Sequence, residues 1–305
     1  MTLLIAILLS LAGAALNATA SVAQRAENRE ETDRGGSMLR MLLDLASRPI
    51  WWLGIAAMIS GFACEAVALT IGQIAVVEPV MIAELPLTII GARLFLDRHL
   101  TGRAWAAIVG LAVAVAVFVG ALGPEGGDPA AVRLWEWLVA GGITVAAAVV
   151  CVVIAQRAHG GRAAFLGIAT GAVFALMSAL VSGVGTLYSH GGLGLVLTSW
   201  QTYAALVAGP SSFFLLQKAL QAGSLVASQP GFTLINPLVS VFWGVLVFGE
   251  TTRTGLWLAV SGVAAVGVVA ATIALVRATE HQGGDRSDTG QTGDPRSAAA
   301  AERGS

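Results

Sequence analysis

The sequence predicts an all-α polytopic membrane protein of about nine transmembrane helices, arranged as two inverted-topology repeats of four helices that a linking helix joins. Three observations predict this fold. Only 11% of the 305 residues are charged and 56% are hydrophobic, whereas about 25% of residues are charged in an ordinary soluble domain. The charges lie in short stretches between long apolar segments, and the basic residues fall mostly on one side of the expected membrane. This pattern argues against a nucleic-acid partner and for the lipid bilayer.

The apolar segments are long enough to cross a bilayer. A hydrocarbon core about 30 Å thick requires roughly 20 helical residues, and lipid offers no hydrogen-bond partner to an open backbone. The nine segments are residues 2–23, 50–72, 74–96, 104–122, 134–155, 163–188, 200–220, 225–248 and 254–276. The predicted units are a first transmembrane repeat (1–122, with a cytoplasmic loop at 24–49), a linking helix (134–155), a second repeat (163–276) and a disordered cytoplasmic tail (277–305).

The placement of arginine and lysine predicts the orientation. Cytoplasmic loops carry an excess of these residues. With alternating crossings, fifteen of the seventeen fall on one side, and only Arg133 and Arg253 fall on the other. The sequence therefore predicts a multi-pass protein of the cell membrane, with its N-terminus outside and its C-terminus in the cytoplasm.

An internal repeat relates the two halves. An offset of 151 residues aligns 68–87 with 219–238, so that both Pro79 and Pro86 of the first stretch meet prolines of the second. The repeat displaces the helices by five crossings, and an odd displacement inverts the topology. Inverted repeats with interrupted helices at matching positions are typical of secondary transporters, in which they flank a site near the bilayer centre.

Two prolines mark where the interruptions are expected. Pro86 and Pro237 lack a backbone N–H, which leaves the carbonyls of Ile82 and Thr233 without their helical partners. Such carbonyls are tolerated where protein or cavity water satisfies them, and those that face a cavity can coordinate a cation. A packing kink that neighbouring helices satisfy is the alternative.

Two acidic residues fall near the middle of predicted helices. A charged side chain there costs on the order of 3 kcal/mol or more unless it faces protein or water. Glu65 and Glu84 are therefore candidates for carrying a proton, binding a cation or ligating a metal ion. The alternative is a protonated carboxyl group that is hydrogen-bonded between helices. Glu78 is expected near the outer mouth as a solvated rim residue. The second half offers uncharged polar side chains instead, at Gln229, Thr233 and Asn236.

These stretches resemble a known family. The run from RPIWWLG to ALGP at 48–124 resembles the first-half core of NIPA-type magnesium transporters, which belong to the drug/metabolite transporter superfamily together with EamA-like transporters. SQPGFTLINPLVSVFWGVLVFGE at 228–250 resembles the corresponding helix of the second half. The shared features are a Trp-Trp-Leu-Gly helix start, a Gly-centred second helix, a Pro-led third helix and a fourth helix that closes with Gly-Pro. The resemblance implies nine crossings with the N-terminus outside.

The chain departs from the magnesium-type pattern in two places. Phe62 follows Gly61 where the family carries an acid, and the acid comes at Glu65 instead. Glu78-Pro79 replaces the Thr-Pro that opens the third helix of the family. The departures leave the selectivity for magnesium open.

The residues lead us to expect a secondary transporter that moves a small solute by alternating access. Magnesium or another divalent cation is one substrate class, and a small metabolite or cationic drug exported against protons is the other. An enzyme is not expected, because the sequence contains no nucleophile elbow, HExxH, CxxC or phosphate-binding glycine loop. A non-transporting scaffold would need no polar residue at mid-membrane depth. No cofactor is expected, and a homodimer is left open.

Overall fold

The computed structural model describes most of the chain. Its backbone is described over residues 1–31, 49–96, 100–157, 161–222 and 225–289, and its side chains over 1–23, 49–94, 100–157, 161–222 and 231–278. Most of the predicted cytoplasmic loop, at 32–48, and the end of the predicted tail, at 290–305, lie outside these ranges.

The described residues fold almost entirely into helices. These are α1 (Thr2–Glu31), α2 (Pro49–Ile71), α3 (Ile74–Met81), α4 (Glu84–Leu96), α5 (Gly102–Leu122), α6 (Leu134–Arg157), α7 (Arg162–Thr198), α8 (Trp200–Gln221), α9 (Leu225–Phe242) and α10 (Leu256–Thr289). A short π-helix, Trp243–Val247, extends α9. Two short strands, β1 (Glu125–Gly126) and β2 (Glu250–Thr251), form an antiparallel pair.

The helices are those of a membrane protein. Seven segments within the described ranges are long and apolar enough to cross a membrane: Thr2–Ala23, Pro49–Ile71, Ile74–Leu94, Gly102–Leu122, Leu134–Arg157, Arg162–Thr198 and Leu256–Ala278. A shorter apolar helix covers Gly231–Val247. The prediction of an all-α polytopic membrane protein is therefore confirmed at this level.

Three helices extend beyond their predicted ends. α1 continues to Glu31, so the start of the segment predicted as a cytoplasmic loop is helical. α7 continues to Thr198 through a kink at Gly191 and Gly192, where the backbone leaves helical geometry. Gly192 has a φ of 63°, which a glycine adopts without steric cost. α10 continues to Thr289, so the start of the segment predicted as a disordered tail is helical.

Glycines allow two helices of the second half to approach closely. A Cβ at Gly171 of α7 would lie 2.9 Å from the Cβ of Ile235 and 2.9 Å from the carbonyl oxygen of Phe232, both in α9. A Cβ at Gly231 of α9 would lie 3.0 Å from the backbone nitrogen of Ile168 in α7. The two helices therefore pack backbone against backbone, as small residues permit between membrane helices.

The two halves of the chain meet along several helix pairs. α2 packs on α7, α3 on α9, and α5 on α10. The hydroxyl of Ser182 in α7 donates to the carbonyl of Leu69 in α2 over 3.0 Å. This contact lies toward the end of the bundle at which β1 and β2 pair, here called the β end. The halves are thus joined at the β end by hydrogen bonds as well as by apolar packing.

An aromatic cluster fills the core near the β end. Trp137 of α6 and Trp243 of the π-helix are 3% and 0% exposed, and their ring centroids lie 5.2 Å apart. Phe248 packs on both rings at 5.4 and 6.0 Å. Aromatic side chains of this size contribute a large share of buried apolar area, so the cluster fixes α6 against the end of α9.

Replacing Gly171 by alanine is expected to destabilise the protein. The new methyl group would force α7 and α9 apart, and such overpacking costs about 1–3 kcal/mol. Thermal unfolding of the purified protein in detergent measures the effect. Gly142→Ala is the matched control, since a Cβ there meets nothing within 4 Å. Equal unfolding midpoints for the two variants would contradict the close packing of α7 on α9.

Candidate functional site

The third predicted helix is interrupted just before its second proline. α3 passes into α4 through a turn at Ile82 and Ala83. The amide of Leu85 donates to the carbonyl of Ile82 over 3.1 Å, so the bond spans three residues instead of four. Since Pro86 has no N–H, this carbonyl would otherwise lack a partner. The prediction that the carbonyl of Ile82 is free is therefore wrong, because a tightened turn satisfies it.

The matching proline of the second half does not break its helix. Pro237 is buried within α9, which is continuous from Leu225 to Phe242. The irregularity comes further along the chain, where the amide of Phe248 donates to the carbonyl of Trp243 over 2.9 Å in the π-helix. The two prolines therefore give different local structures, and a free carbonyl at Thr233 stays a prediction.

A buried carboxylate joins the two halves of the chain. Glu78 of α3 is 1% exposed, and its Oε2 accepts a hydrogen bond of 2.6 Å from Nδ2 of Asn236 in α9. Ser240, one turn further along α9 and fully buried, donates to Oδ1 of Asn236 over 3.5 Å. The prediction that Glu78 is a solvated rim residue is wrong, because α9 packs over this face of α3.

The second oxygen of Glu78 has a different environment. Within the described residues, Oε1 is buried without a hydrogen-bond partner of good geometry, although the hydroxyl of Ser178 in α7 lies near the carboxyl group. A buried polar atom left unpaired costs about 1–3 kcal/mol. This oxygen is therefore available to a proton, a water molecule or a bound cation.

Glu78 belongs to a cluster of three carboxyl groups. Glu65 of α2 lies close enough to both Glu78 and Glu84 for their charges to interact. The carboxyl group of Glu84 faces the side chain of Asn17 in α1, and Asn17 packs on Gly61 of α2. Glu65 and Glu84 are half-buried, so they are the more accessible members of the cluster.

The surroundings of the cluster are polar but not basic. Among the described residues, the charges that act on Glu65 are those of Glu78 and Glu84, while hydroxyl and amide groups act on the other two acids. All three acids lie within apolar spans. Like charges repel strongly where the effective dielectric constant is low. Bound protons or a bound cation would relieve this repulsion.

The cluster does not form a complete metal cage. Across the described ranges, no three or more His, Cys, Asp or Glu side chains are placed to hold a metal ion together. Magnesium usually keeps several of its waters and binds through one or two carboxylates. The assignment of Glu65 and Glu84 as metal ligands therefore stays a prediction. A metal ion bound by these two residues would keep several of its water molecules.

The remaining predicted residues belong to α4 and α9. Pro86 and Pro237 are buried, whereas Thr233 and Asn236 are half-buried. Asn236 contacts the acidic cluster directly through Glu78. Gln229 belongs to α9, but its side chain lies outside the described residues.

The position of Glu78 in the sequence is misleading. It lies near the start of its predicted segment, which suggests the membrane surface, yet α9 of the second half packs against the helix that contains it. The sequence does contain a signal for its role, because Glu78 aligns with Gln229 in the internal repeat. Both halves thus carry a polar side chain directly before a proline, at Pro79 and Pro230.

Comparisons with known proteins identify one relative. The chain is 26% identical over 286 residues to an uncharacterized protein of Corynebacterium glutamicum, and the similarity covers 93% of this chain and 98% of the relative. No protein-family model matches the chain. No solved structure matches it either.

Replacing Asn236 by alanine is expected to lower the stability of the protein. The change leaves Oε2 of Glu78 buried without its donor, which costs about 1–3 kcal/mol or more for a charged group. Thermal unfolding in detergent measures the loss. Thr19→Ala is the control, since Thr19 is exposed and bonds only the carbonyl of Ala15 in its own helix. Unchanged stability of the Asn236 variant would show that the contact between the halves contributes nothing.

Proposed function

We propose that this chain is a secondary transporter that moves a small cationic solute across the cell membrane by alternating access. The observation that carries the proposal is the cluster of Glu65, Glu78 and Glu84 within apolar spans. Ionisable groups at such depth are costly and usually mark the path of a substrate or a proton. The bond from Glu78 to Asn236 places this cluster at the contact between the two halves.

The proposal includes nine crossings and two inverted repeats. α8 and the pair formed by α9 and the π-helix would add two crossings to the seven apolar spans. The packing order supports the repeat, because α1 packs on α2 and α4 in the first half, as α7 packs on α8 and α9 in the second. In this arrangement the β end faces outside, the N-terminus is outside and the C-terminus is cytoplasmic. We assign the chain to the drug/metabolite transporter superfamily on the resemblance of its two half-repeats.

The acidic cluster favours a cationic substrate. Three carboxyl groups without a basic neighbour among the described residues attract positive charge, and amide and hydroxyl oxygens at Asn17, Ser178 and Asn236 would complete the site. Magnesium or another divalent cation fits if the ion keeps part of its water shell. All three acids belong to the first half, whereas Ser178 and Asn236 belong to the second, so a bound substrate would contact both halves.

A second substrate class is favoured by a different observation. The described residues lack a set of three metal-ligating side chains, whereas protons and organic cations need no such set. In this alternative the carboxyl groups carry protons, and a small metabolite or cationic drug leaves the cell in exchange. Both alternatives use the same three acids, so substrate flux must decide between them.

Flux measurements in proteoliposomes test the function. Glu84→Gln and Glu78→Gln are each expected to lower cation flux by about tenfold or more. A decrease of this size is expected when the cation loses one contact with a charged group. Uptake of Mg²⁺ and an organic dye cation is followed by fluorescence, together with the internal pH. Glu125→Gln is the matched control, because Glu125 is exposed in β1.

The two substrate classes give different results in this assay. Mg²⁺ uptake that both glutamine variants abolish supports the divalent-cation transporter. Dye movement that requires a pH gradient and is abolished by the same variants supports the proton-coupled exporter. Flux that neither variant changes would contradict a role for the acidic cluster in transport.

A further inference from the structure

Another buried acid lies outside the apolar spans, at the β end. Glu250 of β2 is 4% exposed. Its Oε1 accepts a hydrogen bond of 2.8 Å from the amide of Ile74, and its Oε2 accepts one of 3.3 Å from the amide of Ala75. These amides belong to the first turn of α3, where backbone N–H groups have no partner within the helix. Glu250 therefore caps a helix of the opposite half.

The sequence next to α3 does not supply this cap itself. Gln73 occupies the N-cap position but makes no side-chain capping bond. A carboxyl group is suited to the task, because both of its oxygens can accept N–H bonds and, when it is ionised, its charge opposes the positive end of the helix dipole. The first half thus depends on Glu250 of the second half to satisfy the start of α3.

The surrounding packing is shaped to hold the carboxyl group. A Cβ at Gly244 of the π-helix would collide with Oε2 of Glu250, and a Cβ at Gly127 would lie 2.6 Å from its Cγ. Ile74, which donates one of the two bonds, is itself 1% exposed. The carboxyl group therefore occupies a close-fitting site between β1, the π-helix and α3.

The position of this contact gives it a mechanical consequence. α3 carries Glu78 one helical turn beyond Ile74, so the helix that Glu250 caps is the one that presents the acidic cluster to α9. Opening the β end requires the start of α3 to separate from β2. That movement exposes the amides of Ile74 and Ala75 and hydrates Glu250.

We propose that Glu250 is the latch that closes the β end of the transporter, by holding the start of α3 against the second half. It is a positioning residue and does not bind the substrate. This inference rests on the proposed function, because only a transporter that works by alternating access needs the β end to open and close. The latch must release before a solute can pass between the acidic cluster and the outside.

The charge of Glu250 responds to its burial. Loss of hydration raises the pKa of this carboxyl group from 4.5 to about 7, although the bonds from Ile74 and Ala75 act in the opposite direction. Once the β end opens, hydration returns the pKa toward its ordinary value. The closed form therefore binds the proton more tightly than the open form. Lowering the pH from 7 toward 4.5 favours closure, and this contribution is lost as the pH rises to about 7, above which it does not change further.

Other charged groups lie on the elements that pack around Glu250. They are Glu125 of β1, Asp128 of the following loop, Arg133 and Glu136 at the start of α6, Glu78 of α3, and Arg253 after β2. Within the described ranges, the pKa of the Glu250 carboxyl group is determined by its loss of hydration and by the two amide hydrogen bonds. The guanidinium group of Arg253 donates to the carbonyl of Gly120 and lies over the ring of Trp257. The pH response is therefore assigned to Glu250 itself.

Labelling of a buried cysteine from outside tests the latch. Val77 of α3 is fully buried, and Val77→Cys is placed in a full-length background in which the free Cys64 and Cys151 are replaced by alanine. A membrane-impermeant maleimide is added to intact cells at external pH 5.5 to 8.5. Rates are divided by those of a Thr254→Cys reference, which is exposed near the same end, to remove the intrinsic pH dependence of thiol reactivity.

The expected result has three parts. Labelling of the parent rises as the pH increases from 5.5 to about 7 and then levels off. Glu250→Ala labels about fivefold faster than the parent at pH 5.5, because the amides of α3 lose their acceptors. Glu250→Gln loses the pH dependence, since its amide does not titrate, and Glu125→Gln behaves like the parent.

Two results would overturn the latch. One is an alanine variant that labels no faster than the parent at pH 5.5, and the other is a glutamine variant that keeps the parent's pH dependence. If the alanine variant is not recovered as a folded protein by gel filtration, the glutamine variant decides. If the protein transports cations but labelling of Val77→Cys does not depend on pH, the latch alone is contradicted. If labelling depends on pH but the protein transports no cation, the proposed function is contradicted.

Discussion

A carboxylate in the apolar interior of a membrane needs a polar partner, and Glu78 finds its partner in the opposite half of the chain. The 2.6 Å bond from Asn236 joins α3 to α9 at a depth where an unpaired charge is costly. Much of the surrounding structure supports this contact. The turn at Ile82 and Ala83 separates α3 from α4, and the glycines at the contact of α7 with α9 bring α9 close to α7. The fold therefore stabilises an arrangement that lipid alone would oppose.

The same constraint connects the site to the β end. α3 is held at its start by Glu250 and at its middle by Asn236, both from the second half. A short helix held at two points moves as one body, so a change at one contact reaches the other through the helix. In our account, cation binding at the acidic cluster and closure of the β end are linked in this way. The linkage needs no additional element, because residues 74–78 span both contacts.

The sequence predicted the class of the fold well because lipid restricts the choices. Long apolar segments can cross a membrane only as helices or as a closed barrel, so composition and segment length were sufficient. The acids at Glu65 and Glu84 were recognised for a similar reason, since charges within apolar runs are conspicuous. Asn236 was recognised through the internal repeat, and the structure places it on the cluster.

Other features depend on tertiary contacts that no local pattern encodes. The burial of Glu78 cannot be predicted from its neighbours in sequence, because it depends on the packing of α9, whose Asn236 is 158 residues away in the chain. The carbonyl of Ile82 was expected to be free, but the backbone relaxed into a three-residue hydrogen bond with Leu85. No local pattern marks Glu250, because it follows a glycine in a segment that has the sequence of an ordinary turn. In each case a partner distant in sequence, or a small backbone adjustment, determined the outcome.

The central claim is that the acidic cluster faces water from each side of the membrane in turn. Ala83→Cys, beside Glu84, measures this directly when a charged thiol reagent is applied separately from outside and from the cytoplasmic side. Our account predicts labelling from both sides, slowed from both by the transported cation. Labelling from neither side, or from one side under all conditions, would contradict it.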